Sequence, residues 1–123
     1  MKILVVDDER DIEMLFQQRF RREIREKEID FVFAYSGEEA LHYLNKHVHE
    51  AVLILSDINM PGMSGLELQR HLNESGQRIP ILFISGQATE QTRERALMAG
   101  AVGFFDKPFS ISSLLASIQS IAA

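Results

Sequence analysis

The chain is 123 residues long, 46% apolar and 25% charged, with a formal net charge of −5. That length and apolar share suit a single domain over residues 1–123, and the absence of cysteine excludes disulfides, zinc–thiolate sites and a thiol nucleophile. The acidic balance, the lack of an apolar run near the roughly 20 residues that cross a bilayer, and an opening too short for a signal peptide point to a cytoplasmic protein that binds neither nucleic acid nor membrane directly.

Residues 3–6 are four apolar residues in a row and read as a buried strand that stops on Asp7 and Asp8. A helix follows over about residues 11–26, with Ile12, Leu15, Phe16 and Phe20 at helical spacing and the charge-rich RREIREKE as its solvated side. Residues 31–35 read as the second strand. Ser36 with Glu39 then fits a capping box that starts a helix at SGEEALHYL. The third strand, residues 52–55, leads to Asp57, and Ser64 with Glu67 repeats the capping pattern before SGLELQRHL. Residues 81–84 and 102–105 read as the fourth and fifth strands, followed by helices with Thr89 and Ser110 as N-caps. The final helix, SISSLLASIQSIAA, sets Ile111, Leu114, Leu115, Ile118 and Ile121 on one apolar stripe. Regular β-then-α alternation without a repeat or linker implies right-handed crossovers and one parallel sheet covered on both faces, a doubly wound α/β fold.

In such a sheet the residues that follow the strands collect along one edge, where ligands bind. That edge receives Asp7 and Asp8 from the first strand, Asp57 from the third, Ser85 from the fourth and Lys107 from the fifth. Taken singly, the first two aspartates also suit a helix cap, Asp57 a turn and Lys107 the surface. Their joint occurrence at strand ends is what points to a site. Three neighbouring carboxylates repel one another unless a cation neutralises them. An all-oxygen donor set selects a hard ion, and Mg²⁺ fits best because it keeps several waters and leaves positions for phosphate oxygens, with Ca²⁺ the lesser possibility.

The stretches ILVVDDE, LSDINMPGMSGLEL, ILFISG and AGAVGFFDKPF, in this order and spacing, resemble the receiver domain of two-component response regulators over essentially the whole chain. The resemblance implies a (βα)5 flavodoxin-like three-layer fold with a five-stranded parallel sheet in the order 2-1-3-4-5. It implies that Asp57 accepts a phosphoryl group from a sensor histidine kinase or phosphotransfer protein. Asp8, Asp57 and the backbone carbonyl of Asn59 would hold Mg²⁺, with Asp7 acting mainly through water. Ser85 would donate its hydroxyl to the phosphoryl group and Lys107 would pair with its charge, across a cis Lys107–Pro108 bond. Ser85 and Phe104 occupy the switch positions, where Thr and Tyr are commoner in the family; Phe104 lacks the hydroxyl that would bond outward. Asn59 and Gln87, each two residues beyond a site residue, are expected to tune dephosphorylation. The domain would thus catalyse its own phosphorylation and dephosphorylation rather than turn over a separate substrate.

Two other classes remain as alternatives. A haloacid-dehalogenase-like phosphatase also uses a strand-end Asp nucleophile with Mg²⁺, but it needs a second aspartate two residues on, where this chain has the neutral Asn59. A flavodoxin-like electron carrier needs a phosphate cradle after the first strand, and DDERD would repel a phosphate. His42, His47, His49 and His71 are expected to be structural, without an acidic partner at ligand spacing.

The kinase is expected to dock around the first helix, where Met14 points away from the core stripe. No effector domain lies in these residues, so the output passes to a target protein or a further domain. The last helix carries no charged residue, so no salt-bridged dimer through it is expected; Arg93 and Arg95 of the preceding helix would lack partners there.

Overall fold

In the computed structural model, which describes residues 1–48 and 50–122, strand β1 (Lys2–Val6) leads into helices α1 (Asp11–Arg19) and α2 (Arg21–Arg25). The chain then runs through β2 (Asp30–Ala34), α3 (Gly37–Lys46), β3 (Leu53–Ser56), α4 (Gly65–Ser75), β4 (Ile81–Ser85), α5 (Glu90–Met98), β5 (Gly103–Asp106) and α6 (Ile111–Ala122). All strand pairs are parallel and the order is β2-β1-β3-β4-β5, so the doubly wound reading holds. Alternation along the strands divides the core in two. Leu4, Val6, Ile54, Ile81 and Phe83 face α3, α4 and α5, whereas Ile3, Val5, Leu53, Leu55, Leu82 and Ile84 face α1, α2 and α6. Phe16 lies at the centre of the second side, with ring contacts to Phe20, Phe31, Phe33 and Phe109.

Local signals set most boundaries. Ser64 and Glu67 form the full reciprocal capping box of α4, which ends at Gly76 in the left-handed conformation (φ 77°). Ser36 accepts from the Glu39 N–H, but the Glu39 carboxylate accepts from Tyr35 N–H, so that box is half formed. Thr89 caps α5, and Ser110 accepts from the Ser113 N–H at the start of α6. The apolar stripe of α6 packs as expected: Leu114 and Ile118 are buried, with Ile111, Leu115 and Ile121 partly buried beside them.

Three differences from the sequence reading have physical causes. The helix over residues 11–26 is two helices, broken at Phe20 (φ −108°, ψ 24°). Apolar residues at steps of four drift about 40° per step around a straight helix; the break turns Ile24 back toward the core, while Leu15 stays 36% exposed at the edge of the stripe. Val52 and Val102 are exposed and precede their strands, whereas Ser56, Ser85 and Asp106 extend them. His47 does have an acidic partner: its Nδ1 lies 2.7 Å from Glu50 Oε2, and Lys2 Nζ lies 3.3 Å from the other oxygen of Glu50. This group ties α3 to the start of β1. His42 and His71 are exposed, and His49 lies outside the described residues.

Candidate functional site

The parallel sheet brings the ends of four strands together. Asp7 N–H donates to Ala34 O and Asp57 N–H donates to Val6 O, so ladder hydrogen bonds carry past the strand ends and hold both aspartates on the edge. Asp7 and Asp57 are buried, at 4% and 7% exposure, and Asp8 is exposed. Each of these three carboxylates offers an oxygen within 4.8 Å of the others. Lys107 reaches in from the end of β5, with Nζ 3.0 Å from Asp7 Oδ2 and 3.5 Å from Asp57 Oδ2. The Lys107–Pro108 peptide bond is cis, as expected.

The backbone around Asp57 is closely fitted. Its Oδ1 accepts from Ile58 N–H at 2.7 Å, leaving Oδ2 toward Lys107. The Gly65 N–H donates to Ile58 O at 2.8 Å, and a Cβ on Gly65 would collide with the Asp57 carbonyl oxygen. Glycine at the start of α4 therefore permits the close approach of the helix and the turn that carries Asp57. Ser85 is buried at the end of β4; its Oγ accepts from Gln87 N–H at 3.4 Å, and its carbonyl accepts from Lys107 N–H at 2.9 Å. Asn59 and Gln87 are exposed at the rim.

Burial raises the Asp57 pKa above the usual carboxylate value; Lys107 opposes that shift, Asp7 adds to it, and the backbone N–H groups of Ile58 and Asn59 favour the ionised form. Burial lowers the Lys107 pKa, but the hydrogen bond to Asp7 and the charges of Asp7, Asp57 and Glu9 outweigh it, so the amine lies above the usual lysine value. One ammonium thus faces three carboxylates. This surplus of negative charge, carried by oxygen alone, fits a hard divalent cation.

Phe104 is half-buried against Phe83, with ring centroids 6.2 Å apart, on the α5 side of the sheet. Arg93 has a partner within the chain. Its Nη2 donates to both carboxylate oxygens of Asp106, at 2.8 and 2.7 Å, and its guanidinium carbon lies 4.7 Å from the centre of the Phe104 ring. A loop separates these residues in the chain, so no periodicity could have revealed the contact. Met14 is 65% exposed on α1, clear of the core.

Residues 3–119 match the family described as response regulator receiver domain. Response regulator RppA of Synechocystis is 34% identical over 98% of this chain and 50% of its own length. Response regulator protein TodT of Pseudomonas putida is 48% identical over 54% of this chain and 30% of its own. The chain therefore spans about half or less of the length of these relatives. Among solved structures, a response regulator receiver protein from Pseudomonas putida superposes with a TM-score of 0.85 at 28% identity, covering 97% of this chain and 95% of the other. No described helix is long and apolar enough to cross a membrane.

Proposed function

Because the chain belongs to the response regulator receiver domain family and is a two-component signalling receiver, we propose that Asp57 is its phosphoryl acceptor, supplied by a phosphohistidine on a sensor histidine kinase or phosphotransfer protein. The observation that carries this reading is the convergence of buried Asp57 with Lys107, Ser85 and two further carboxylates on one sheet edge. Asp57 Oδ2, the oxygen not tied to Ile58, attacks phosphorus in line. The O–P bond forms as the P–N bond breaks, and that bond's electron pair stays on the imidazole nitrogen. Lys107 meets the charge on the phosphoryl oxygens, and Ser85 Oγ turns from Gln87 to donate to one of them. Asp8, Asp57 and the Asn59 carbonyl, with Asp7 mainly through water, would hold Mg²⁺, which would supply further positive charge there.

The same residues serve the return reaction, with Asn59 and Gln87 bordering the path of the attacking water. Ser85 and Phe104 carry the change of state away from Asp57. The domain so acts on itself in the cytoplasm and signals to an output domain or target protein, without direct contact to nucleic acid or membrane. The small, neutral exposed residues of α6 suit close packing against that partner, and a salt-bridged dimer through α6 is not expected because Arg93 is already paired with Asp106. A phosphatase reading gains no support, since the neutral Asn59 stands where its general acid belongs.

Incubation with a small acyl phosphate and Mg²⁺ should add one phosphoryl group to the intact mass. The Asp57→Asn variant and the chelated wild type should add none. Equal labelling of Asp57→Asn, or labelling that survives removal of divalent metal, would refute the assignment.

A further inference from the structure

Among its nine residues α5 buries only Ala96, against three buried residues on α3 and four on α4. Apolar burial therefore holds it weakly, and polar contacts take over. Toward its C-terminus, two amides one turn apart on α4 clip it: Gln69 Nε2 donates to Ala96 O and Asn73 Nδ2 donates to Ala99 O, both at 3.0 Å. Toward its N-terminus the attachment is Arg93, which grips the Asp106 carboxylate and covers the Phe104 ring, with Glu90 3.8 Å from its Nε.

These two attachments differ in what they are tied to. Gln69 and Asn73 belong to a neighbouring helix, and the Gln69 side chain is buried. Asp106 and Phe104 belong to β5, whose next residue is Lys107. Asp106 also lies opposite Ser85 in the strand register, and Ser85 O accepts from Lys107 N–H. Any shift of Ser85 and Lys107 toward a group on Asp57 therefore moves the backbone that carries the carboxylate held by Arg93. A guanidinium fixed to a carboxylate and stacked on a ring tolerates little displacement, because both contacts are directional. With 29% of the Arg93 side chain and 60% of the Asp106 side chain exposed, the pair is also open to water and salt.

We propose that α5 is mounted on a fixed hinge, the Gln69 and Asn73 clips at Ala96 and Ala99, and on a releasable clasp, Arg93 on Asp106 and Phe104, which opposes the phosphorylated state. Arg93 is thus a positioning residue: it supplies from outside the restraint that Phe104, without a hydroxyl, cannot make for itself. Release frees residues 86–95 to move while residues 96–101 stay in place. By linkage, whatever weakens the clasp strengthens binding of a phosphoryl mimic at Asp57. This last step rests on Asp57 being the acceptor.

Hydrogen exchange of the whole chain tests the clasp without any ligand. Arg93→Ala should raise exchange several-fold in peptides covering residues 86–95 and leave 96–101 at the wild-type level, whereas Gln69→Ala should loosen 96–101. Restoring an opposite-charge pair in Arg93→Asp/Asp106→Arg should recover part of the protection lost in Arg93→Asp. Uniform loosening of 86–101 in Arg93→Ala, or no change, overturns the clasp and hinge. Titration with beryllofluoride and Mg²⁺ tests the coupling: affinity should rise at least threefold in Arg93→Ala, and an equal or weaker affinity overturns the opposition to phosphorylation. A wild-type chain that binds no beryllofluoride overturns the acceptor reading and the coupling with it, while the exchange comparison still decides the clasp.

Discussion

Lys107 and Asp7 form the shorter of the two ion pairs in the carboxylate cluster, with 3.0 Å between Nζ and Oδ2 against 3.5 Å from the same ammonium to Asp57. Asp57 is left buried with a share of a charge that its neighbour holds more closely, and its pKa rises.

That shift has a sign in the stability of the metal-free protein. A carboxyl whose folded pKa is raised binds its proton more tightly in the native state. Stability therefore falls as pH rises from the unfolded value, near 3.9 for Asp, through the raised folded value, and the deficit is complete above it. Asp57→Asn should melt at a higher temperature than the wild type at neutral pH without divalent metal, and the advantage should vanish below the ordinary carboxylate range. Added Mg²⁺ should raise the wild-type melting temperature more than that of the variant. Equal melting temperatures at neutral pH in chelator contradict the argument.

Gly65→Ala should cost about 1–3 kcal/mol in chemical denaturation, the range for forcing extra volume into a packed site. Phosphoryl uptake should slow with it, because the added Cβ meets the Asp57 carbonyl. Gly76→Ala is the control. Nothing lies within 4 Å of a Cβ there, so it should cost only the left-handed conformation, about 1–2 kcal/mol, and leave uptake unchanged.

Asn59→Ala and Gln87→Ala should alter the decay of the phosphorylated protein more than its formation. Both amides sit exposed at the rim, and an uncharged amide can orient or obstruct water but cannot serve as a strong base. The measurement is loss of the added phosphoryl mass after the donor is removed. Decay at the wild-type rate in both variants removes these residues from the reaction.

Met14→Asp should slow transfer from the cognate kinase several-fold and leave labelling by a small acyl phosphate unchanged. Met14 is exposed on α1, so a partner can cover it and the core does not depend on it. Parallel rates with both donors, whether normal or reduced, exclude α1 as the docking element.

The parallel sheet and the strand-end residues were legible because each strand is a short apolar run that stops abruptly, and parallel strands must bring those stops to one edge; the order of the strands was implied only by the family resemblance. The Ser64–Glu67 box was legible for a similar reason: both partners lie within one turn of chain. Contacts between elements left no such trace. Nothing in the spacing of Arg93 and Asp106 marks them as a pair, and Glu39 could be assigned to Ser36 or Tyr35 only by geometry. Periodicity placed Phe20 correctly in the core but could not show that a drifting stripe would be corrected by breaking the helix there. His47 keeps the structural role expected of it, but it does have an acidic partner, Glu50, three residues on and just past the end of α3.

The helices around the sheet are unequally anchored. Under α1, α2 and α6, the rings of Phe16, Phe20, Phe31, Phe33 and Phe109 meet at tilted and edge-on angles and wedge one another in place. On the opposite side, α5 rests on one buried alanine methyl and a few polar contacts. A force applied at the common edge meets its weakest anchorage at α5, because α3 and α4 on the same side bury three and four residues against the one of α5.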